Sequence, residues 1–418
     1  MTATLSTFFA LLVGGVPVAF ALGACGLIYL FFQGAAAPTL SSQLFSSLNS
    51  SGLLAIPFFI LAAEIMSRSG ATIRLINLID TLLRHTRGGL PVISVLATAL
   101  FSSICGSSVA TAAAMGTVLI PEMIKRGYDK LFAVGLIATA GGLGILIPPS
   151  VPLVVYGMVT ETSIASLFAA GGVVGILLTV LLGVVAYIYG RRSGVPPRPK
   201  ATMREIREAF WSSFGVLLSP VIVLGGIYGG IFTPMEAAAV SCAYAIFLAI
   251  SYGHGIKDTL PMLTSAASMS SVIMLILAGA QLFGYVLTNE RVPHEMFLFI
   301  SSLDLSRNEL IIAVMLFFLL AGMFLEVISM ILITMPILIP VLAGYDINLV
   351  FFAVLLVLNM EIAVITPPIG LNLFTISAIS KIPVMRVFKG CLPFVAILAV
   401  FLAIMALTPG VQQFFAAL

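Results

Sequence analysis

Long apolar stretches recur from one end of this chain to the other, and the short polar segments between them hold nearly all of its charge. A helix crosses about 30 Å of hydrocarbon with about 20 apolar residues. The stretches at 5–32, 53–66, 131–159, 164–190, 213–232, 234–253, 269–289, 349–380 and 390–408 approach or exceed that length. A membrane barrel would instead show alternating segments of about 10 residues. The pattern therefore predicts an all-α polytopic membrane protein. No basic leader or small-residue cleavage pattern precedes the first stretch, so it reads as a first helix rather than a removed signal.

Two further apolar stretches do not fit a simple crossing. Lys and Arg mark the cytoplasmic side of a membrane protein, and 17 of the 19 cations fall within 67–90, 125–130, 191–208, 381–389 or at Lys257. The other connections, 33–52, 160–163, 290–309 and 345–348, hold only Arg291 and Arg307, outnumbered by carboxylates. Segments 67–90 and 125–130 thus share a side although the apolar stretch 91–124 separates them. Broken at "CGSS" (105–108), that stretch gives two pieces of about 14 to 16 residues, each too short to cross at 1.5 Å per residue. It reads as a re-entrant helical hairpin tipped by Cys105 to Ser108. By the same logic 310–343 is a second hairpin, inserted from the opposite face, with its tip around Gly322 to Ser329.

Hairpins of opposite sense suggest an inverted repeat. An offset of 219 residues places Ile120 and Pro121 on Ile339 and Pro340, Pro148 and Pro149 on Pro367 and Pro368, Phe132 on Phe351, and Gly171 on Gly390. Near the start of each half an offset of 217 pairs Pro17 with Pro234 and Cys25 with Cys242. The chain then divides into a first repeat at 1–190, a linker with a connecting span at 191–233, and a second repeat at 234–418. "SGVPPRPKATMREIREAF" (193–210) reads as a cytoplasmic linker running into an amphipathic surface helix, with 70–86 and 256–268 as similar interfacial arms.

Composition sharpens this picture. With 61% apolar and 8% charged residues and a mean hydropathy of +1.20, the chain is no soluble globular domain. The four cysteines, Cys25, Cys105, Cys242 and Cys391, are scattered among apolar residues and suggest packing rather than disulfides or a metal knuckle. His85, His254 and His294 lie in polar connections. No "HExxH", no Cys/His cluster and no "GxxxxGK[ST]" loop occurs, which argues against an intramembrane metalloenzyme or a nucleotide-driven pump.

The chemistry concentrates at the breaks. "ALFSSICGSSVATAAAMG" (99–116) sets five hydroxyls and two glycines in an apolar stretch. The span after each hairpin is interrupted by a Pro-Pro pair, in "GGLGILIPPSVP" (141–152) and "NMEIAVITPPIGLN" (359–372). Such pairs free backbone carbonyls in mid-membrane, and hard cations such as Na⁺ are bound by carbonyl and hydroxyl oxygens at discontinuous helices. "SSICGSS" with "GILIPP" therefore forms one half of an expected midplane ion site, and Gly322 and Glu326 with Thr366 to Asn372 the other. Small and hydroxyl residues also serve tight helix packing, and Pro-Pro pairs also merely kink helices; the paired basic flanks and the matched offset favour the ion site. Glu64, Glu236, Glu326 and Glu361 are intramembrane carboxylates, of which Glu326 is best placed for a site.

"IPFFILAAEIM" (56–66), "GYDKLFAVGLIATAGGLGILIPPSVPLVVYG" (127–157), "GGIFTPMEAAAV" (229–240) and "TPPIGLNLF" (366–374) resemble the large membrane subunit of tripartite ATP-independent periplasmic (TRAP) transporters of the dicarboxylate-permease type, in the ion-transporter superfamily. The resemblance covers nearly the whole chain. It implies an inverted-repeat, elevator-type transporter in the bacterial inner membrane: a sodium-driven importer of carboxylated solutes such as a C4-dicarboxylate or a sialic acid. It also implies two partners, a small four-helix membrane subunit and a periplasmic substrate-binding protein. Na⁺ is the implied coupling ion, with Ser103, Ser107, Gly144, Ile147 and Pro149 at a first site and Gly322, Glu326, Thr366 and Asn372 at a second. Substrate would lie near Ser108, Ser150, Val327 and Gly370. The family commonly carries Asp where Glu326 stands. The competing expectation is a stand-alone ion-coupled anion symporter or exchanger of the same architecture that needs no binding protein.

Overall fold

The computed structural model describes residues 6–8, 10, 11, 14–32 and 51–417. Among them there are helices and no strand. Seven helices are long and apolar enough to cross a membrane, or up to eight if the pair Gly52–Arg68 and Ala71–Leu83, bent by 63°, counts as one span.

One order of elements occurs twice. The first copy runs Val18–Phe32, Ala55–Arg68, Ala71–Leu83, the hairpin pair Gly89–Cys105 and Ser108–Lys125, the broken pair Lys130–Leu146 and Val151–Thr160, and Ile164–Arg192. The second runs Pro234–Ser251, Ile256–Asn289, Val292–Ser302, the hairpin pair Arg307–Gly322 and Val327–Gly344, the broken pair Leu349–Ala363 and Leu371–Ser380, and Val384–Leu407. Met203–Tyr228 joins them and Pro409–Ala416 follows.

Local chemistry sets these boundaries. Gly106, at φ +64°, turns the first hairpin in the left-handed region that glycine tolerates. Asp129 accepts a hydrogen bond from the Phe132 N–H, and Asn348 accepts one from the Phe351 N–H, so equivalent side chains start the two broken pairs. Both Pro-Pro bonds at the breaks, 148–149 and 367–368, are cis.

The halves exchange partners. The second arm of each hairpin packs on the short helix beyond the opposite break: Ser108–Lys125 on Leu371–Ser380, and Val327–Gly344 on Val151–Thr160. Helix Lys130–Leu146 is buried from Phe132 onward and Leu349–Ala363 from Val350 onward. At Gly135 and Gly390 the backbones of Lys130–Leu146 and Val384–Leu407 lie so close that any side chain would strike the facing main chain. A flanking group surrounds this core, with Val18–Phe32 on Ile256–Asn289 and Pro234–Ser251 on Ala55–Arg68. Its outward faces carry exposed Phe31, Phe32, Phe247 and Ile250, suited to lipid. The four cysteines are buried, and none is in a disulfide among the described residues.

Several expected boundaries differ. The linker does not end in a separate surface helix before a span at 213–232. A Thr202/Glu205 capping box starts one helix, Met203–Tyr228, that runs on through Pro220. Likewise 256–268 is no separate arm but the beginning of the 34-residue Ile256–Asn289. The expected first span 5–32 is interrupted by a turn at Gly14–Gly15 before Val18, with Gly15 at φ +80°. The connection 290–309 contains a helix, Val292–Ser302. The connection 33–52, up to residue 50, and residues 1–5 lie outside the described residues.

Candidate functional site

Each hairpin tip is fastened to the break that follows it. The Val151 N–H donates to the Gly106 carbonyl at 3.4 Å, and the Gly370 N–H donates to the Met323 carbonyl at 3.4 Å. The two joints occupy equivalent places in the repeat. Between the tips lies a cavity of about 450 Å³, bordered by Cys105 to Ala110 from the first hairpin and Glu326 to Ser329 from the second. Its other wall belongs to the flanking group, with Glu64 and Ser67 on one helix and Ser268 and Met269 on another.

Around the first break the backbones close in tightly. A methyl at Gly144 would stand 2.6 Å from the Ser107 carbonyl oxygen and 2.7 Å from Thr111 Oγ1. A methyl at Gly106 would stand 2.7 Å from the Pro149 carbonyl oxygen. Ser107, Gly144 and Pro149 are thus brought together at the first break, with the Ser107 carbonyl against Gly144 and the Pro149 carbonyl against Gly106. Ile147 ends helix Lys130–Leu146 with its N–H on Leu143. The Ser103 hydroxyl turns back along its helix to the Leu100 carbonyl at 2.7 Å. The hydroxyl of Ser102, fully buried one residue earlier, has no hydrogen-bond partner among the described residues.

Around the second break, Gly322 lies against Met360 and Ala363. The Thr366 hydroxyl donates to the Ile362 carbonyl at 2.7 Å. Glu326 spans the tip as the N-cap of Val327–Gly344, accepting from the Ile328 N–H at 3.0 Å and the Ser329 N–H at 3.4 Å. Asn372 is fully buried and reaches across the repeat, its Nδ2 donating to the Ala138 carbonyl at 3.1 Å while its Oδ1 has no partner.

Of the four residues expected near substrate, Ser108 and Val327 border the cavity. Ser150 and Gly370 stand one layer behind it. The Ser150 hydroxyl donates to the Ile145 carbonyl at 2.5 Å, and Gly370 is spent on the joint to Met323. Sequence reasoning missed Ser67 and Ser268, because a wall assembled from helices some 200 positions apart has no local spacing. Glu64, expected as an intramembrane carboxylate, pairs with Arg68 one turn on at 2.6 Å, and Arg68 also reaches the Ser265 hydroxyl at 3.4 Å.

Residues 5–411 match the family described as tripartite ATP-independent periplasmic transporter, DctM component. The C4-dicarboxylate TRAP transporter large permease protein DctM of Pseudomonas aeruginosa is 40% identical over 398 residues, covering 94% of this chain and 92% of that protein. The sialic acid TRAP transporter large permease protein SiaM of Vibrio cholerae is 34% identical, covering 98% of this chain and 96% of that protein. Among solved structures, the YdaH transporter of Alcanivorax borkumensis superposes with a TM-score of 0.66 at 14% identity, covering 91% of this chain and 88% of that one, a likeness of fold alone.

Proposed function

Because the chain belongs to the DctM component family of tripartite ATP-independent periplasmic transporters, and so is a large permease of the inner membrane rather than an enzyme, we propose that it is a sodium-coupled importer of carboxylated organic solutes. The observation that carries this reading is the cavity onto which both hairpin tips open. Ser108 and Val327 begin helices there, and helix N-termini favour anions through their N–H groups and dipole. The two ends are not alike. The second is capped by the Glu326 carboxylate and the first by the neutral Ser107 hydroxyl, which accepts from the Ala110 N–H at 3.5 Å, so a substrate carboxylate goes to the first, at Ser108 and Val109.

Carbonyls around Gly144 at the first joint, and Glu326, Thr366 and Asn372 at the second, form the two sodium half-sites of this proposal. Filling them holds each tip against its break, so the cavity is shaped for substrate only when sodium is present. The hairpins and broken helices then travel as one body past the flanking helices in an elevator motion, for which the placement of the cavity between the two groups is the support. The family works with a small membrane subunit and a periplasmic binding protein; here these are proposed as a four-helix subunit and a protein delivering a C4-dicarboxylate, a sialic acid or a similar acid. The test is uptake of radiolabelled candidates into liposomes holding the assembled complex. Uptake is expected under an inward sodium gradient and only with the binding protein. Equal uptake in potassium alone refutes sodium coupling, and full uptake without the binding protein favours a stand-alone symporter.

A further inference from the structure

Glu361 is a buried carboxyl that the sites above leave unused. It sits on Leu349–Ala363, is fully buried, and neither carboxyl oxygen has a hydrogen-bond partner. Its neighbour across the core is Gly142, where an added methyl would run into the Glu361 side chain and stand 2.7 Å from Oε1. Gly142 and Glu361 are themselves 219 residues apart. The second half thus places a carboxyl, and the first half a glycine that makes room for it, where the equivalent helices of the repeat cross.

Among the described residues no basic group compensates it. Helix Lys130–Leu146 has only Lys130, twelve residues from Gly142 and so roughly 18 Å along the axis. The Tyr156 hydroxyl of Val151–Thr160 is engaged at Leu349, at the far end of the Glu361 helix. Ile164–Arg192 has its titratable groups near its end, where Tyr189 stacks on Phe132. Arg307 and Glu309 lie in the first turn of Arg307–Gly322, whereas that helix meets the Glu361 helix at Met315, whose carbonyl accepts from Asn359. On Val384–Leu407, Arg386 and Lys389 precede Cys391, which packs at Gly135, two turns short of Gly142. Glu326, before Val327–Gly344, is held by its own helix, and Pro409–Ala416 has no titratable side chain.

A charged carboxylate without a donor is strongly disfavoured in such an interior. Binding one proton removes that cost at a single oxygen, whereas Na⁺ takes a set of several oxygen ligands. We propose that Glu361 is a proton-binding site at the crossing of the two broken helices, loaded from external water and emptied to the cytoplasm in each cycle. One O–H bond forms at a carboxyl oxygen on loading and breaks on release, so one proton accompanies each turnover. This rests on the sodium-coupled reading but adds an ion to it.

The experiment fixes the sodium gradient across liposomes holding the assembled complex and varies pH outside. For one cotransported proton, acidifying the outside by one unit raises the steady-state accumulation of substrate by up to about tenfold. Glu361→Gln is expected to lose that increment and keep its sodium dependence. No pH increment in the unaltered complex, or an undiminished one in the variant, overturns the proposal. Should the variant fail to assemble, infrared difference spectra of the complex with Glu361 intact decide. A protonated-carboxyl band of ¹³C-labelled glutamate, recorded with Glu326→Asp so that the sodium half-site contributes no glutamate signal, must change when sodium and substrate are added, and an invariant band overturns the proposal. Uptake in potassium alone is measured in parallel, so failure of sodium coupling registers separately.

Discussion

Gly144 shows how much one missing methyl matters. Its Cα faces the Ser107 carbonyl and the Thr111 hydroxyl so closely that a Cβ would displace backbone. Gly183, on an outer helix, has nothing within 4 Å of the same position. Gly144→Ala is therefore expected to cost about 1–3 kcal/mol by overpacking. It should also raise the sodium concentration for half-maximal uptake by about tenfold or more, a change of about 1.4 kcal/mol. Gly183→Ala should be neutral or stabilise by up to about 1 kcal/mol through helix propensity. Thermal midpoints and sodium titrations of uptake on the two variants check this; identical sodium titrations would remove the carbonyls around Gly144 from the ion site.

Elements of the two halves begin for the same reasons, and those reasons separate structural motifs from functional ones. The run "GIFTPMEAAA" carries the resemblance strongly, yet its Thr233 and Glu236 form a capping box: the Glu236 N–H donates to Thr233 Oγ1 at 3.3 Å, and the Glu236 carboxylate accepts from the Thr233 N–H at 2.8 Å. Thr233→Ala should lower stability by about 1 kcal/mol while leaving the sodium titration of uptake unchanged; a shifted titration would make this cap part of the ion machinery. Much at this scale was legible in the sequence. An offset of 219 residues carries Ser108–Lys125 onto Val327–Gly344 and the cap Ser107 onto the cap Glu326. Glycine and proline interrupt a backbone directly, so the breaks were visible. The continuity of Met203–Tyr228 and Ile256–Asn289 was not, because polarity changes along those helices without any interruption of the hydrogen-bond ladder. The cross-repeat contacts of Asn372 and Glu361 were hidden as well, since partners more than 200 positions away leave no local pattern.

At the scale of the molecule, the linker between the halves is stitched down on the basic side. The Arg198 N–H donates to the Arg84 carbonyl at 2.9 Å, Arg84 pairs with Glu205 at 2.8 Å, and Asp80 holds Arg198 at 2.7 Å while standing 3.9 Å from Arg126 at the base of the first hairpin. The arm Ala71–Leu83 packs on Met203–Tyr228 on one side and on the first hairpin helix Gly89–Cys105 on the other, and the Asp80–Arg126 pair is a minor part of that second contact. A partly exposed pair of this kind contributes about 0–1 kcal/mol, so side-chain packing rather than this pair holds the hairpin against the arm. The two groups also face each other at the cavity. Ser67 on the flanking side and Val109 on the first hairpin border the same space. With Cys105→Ala removing the native thiol there, a Ser67→Cys and Val109→Cys pair bridged by a short thiol-reactive cross-linker should abolish sodium-driven uptake, and cleavage of the bridge should restore it. The single variants treated alike should transport at the level of the Cys105→Ala background. Full uptake with the bridge shown intact by mass spectrometry would mean that the hairpin need not move past the flanking helices, and the elevator reading would fall.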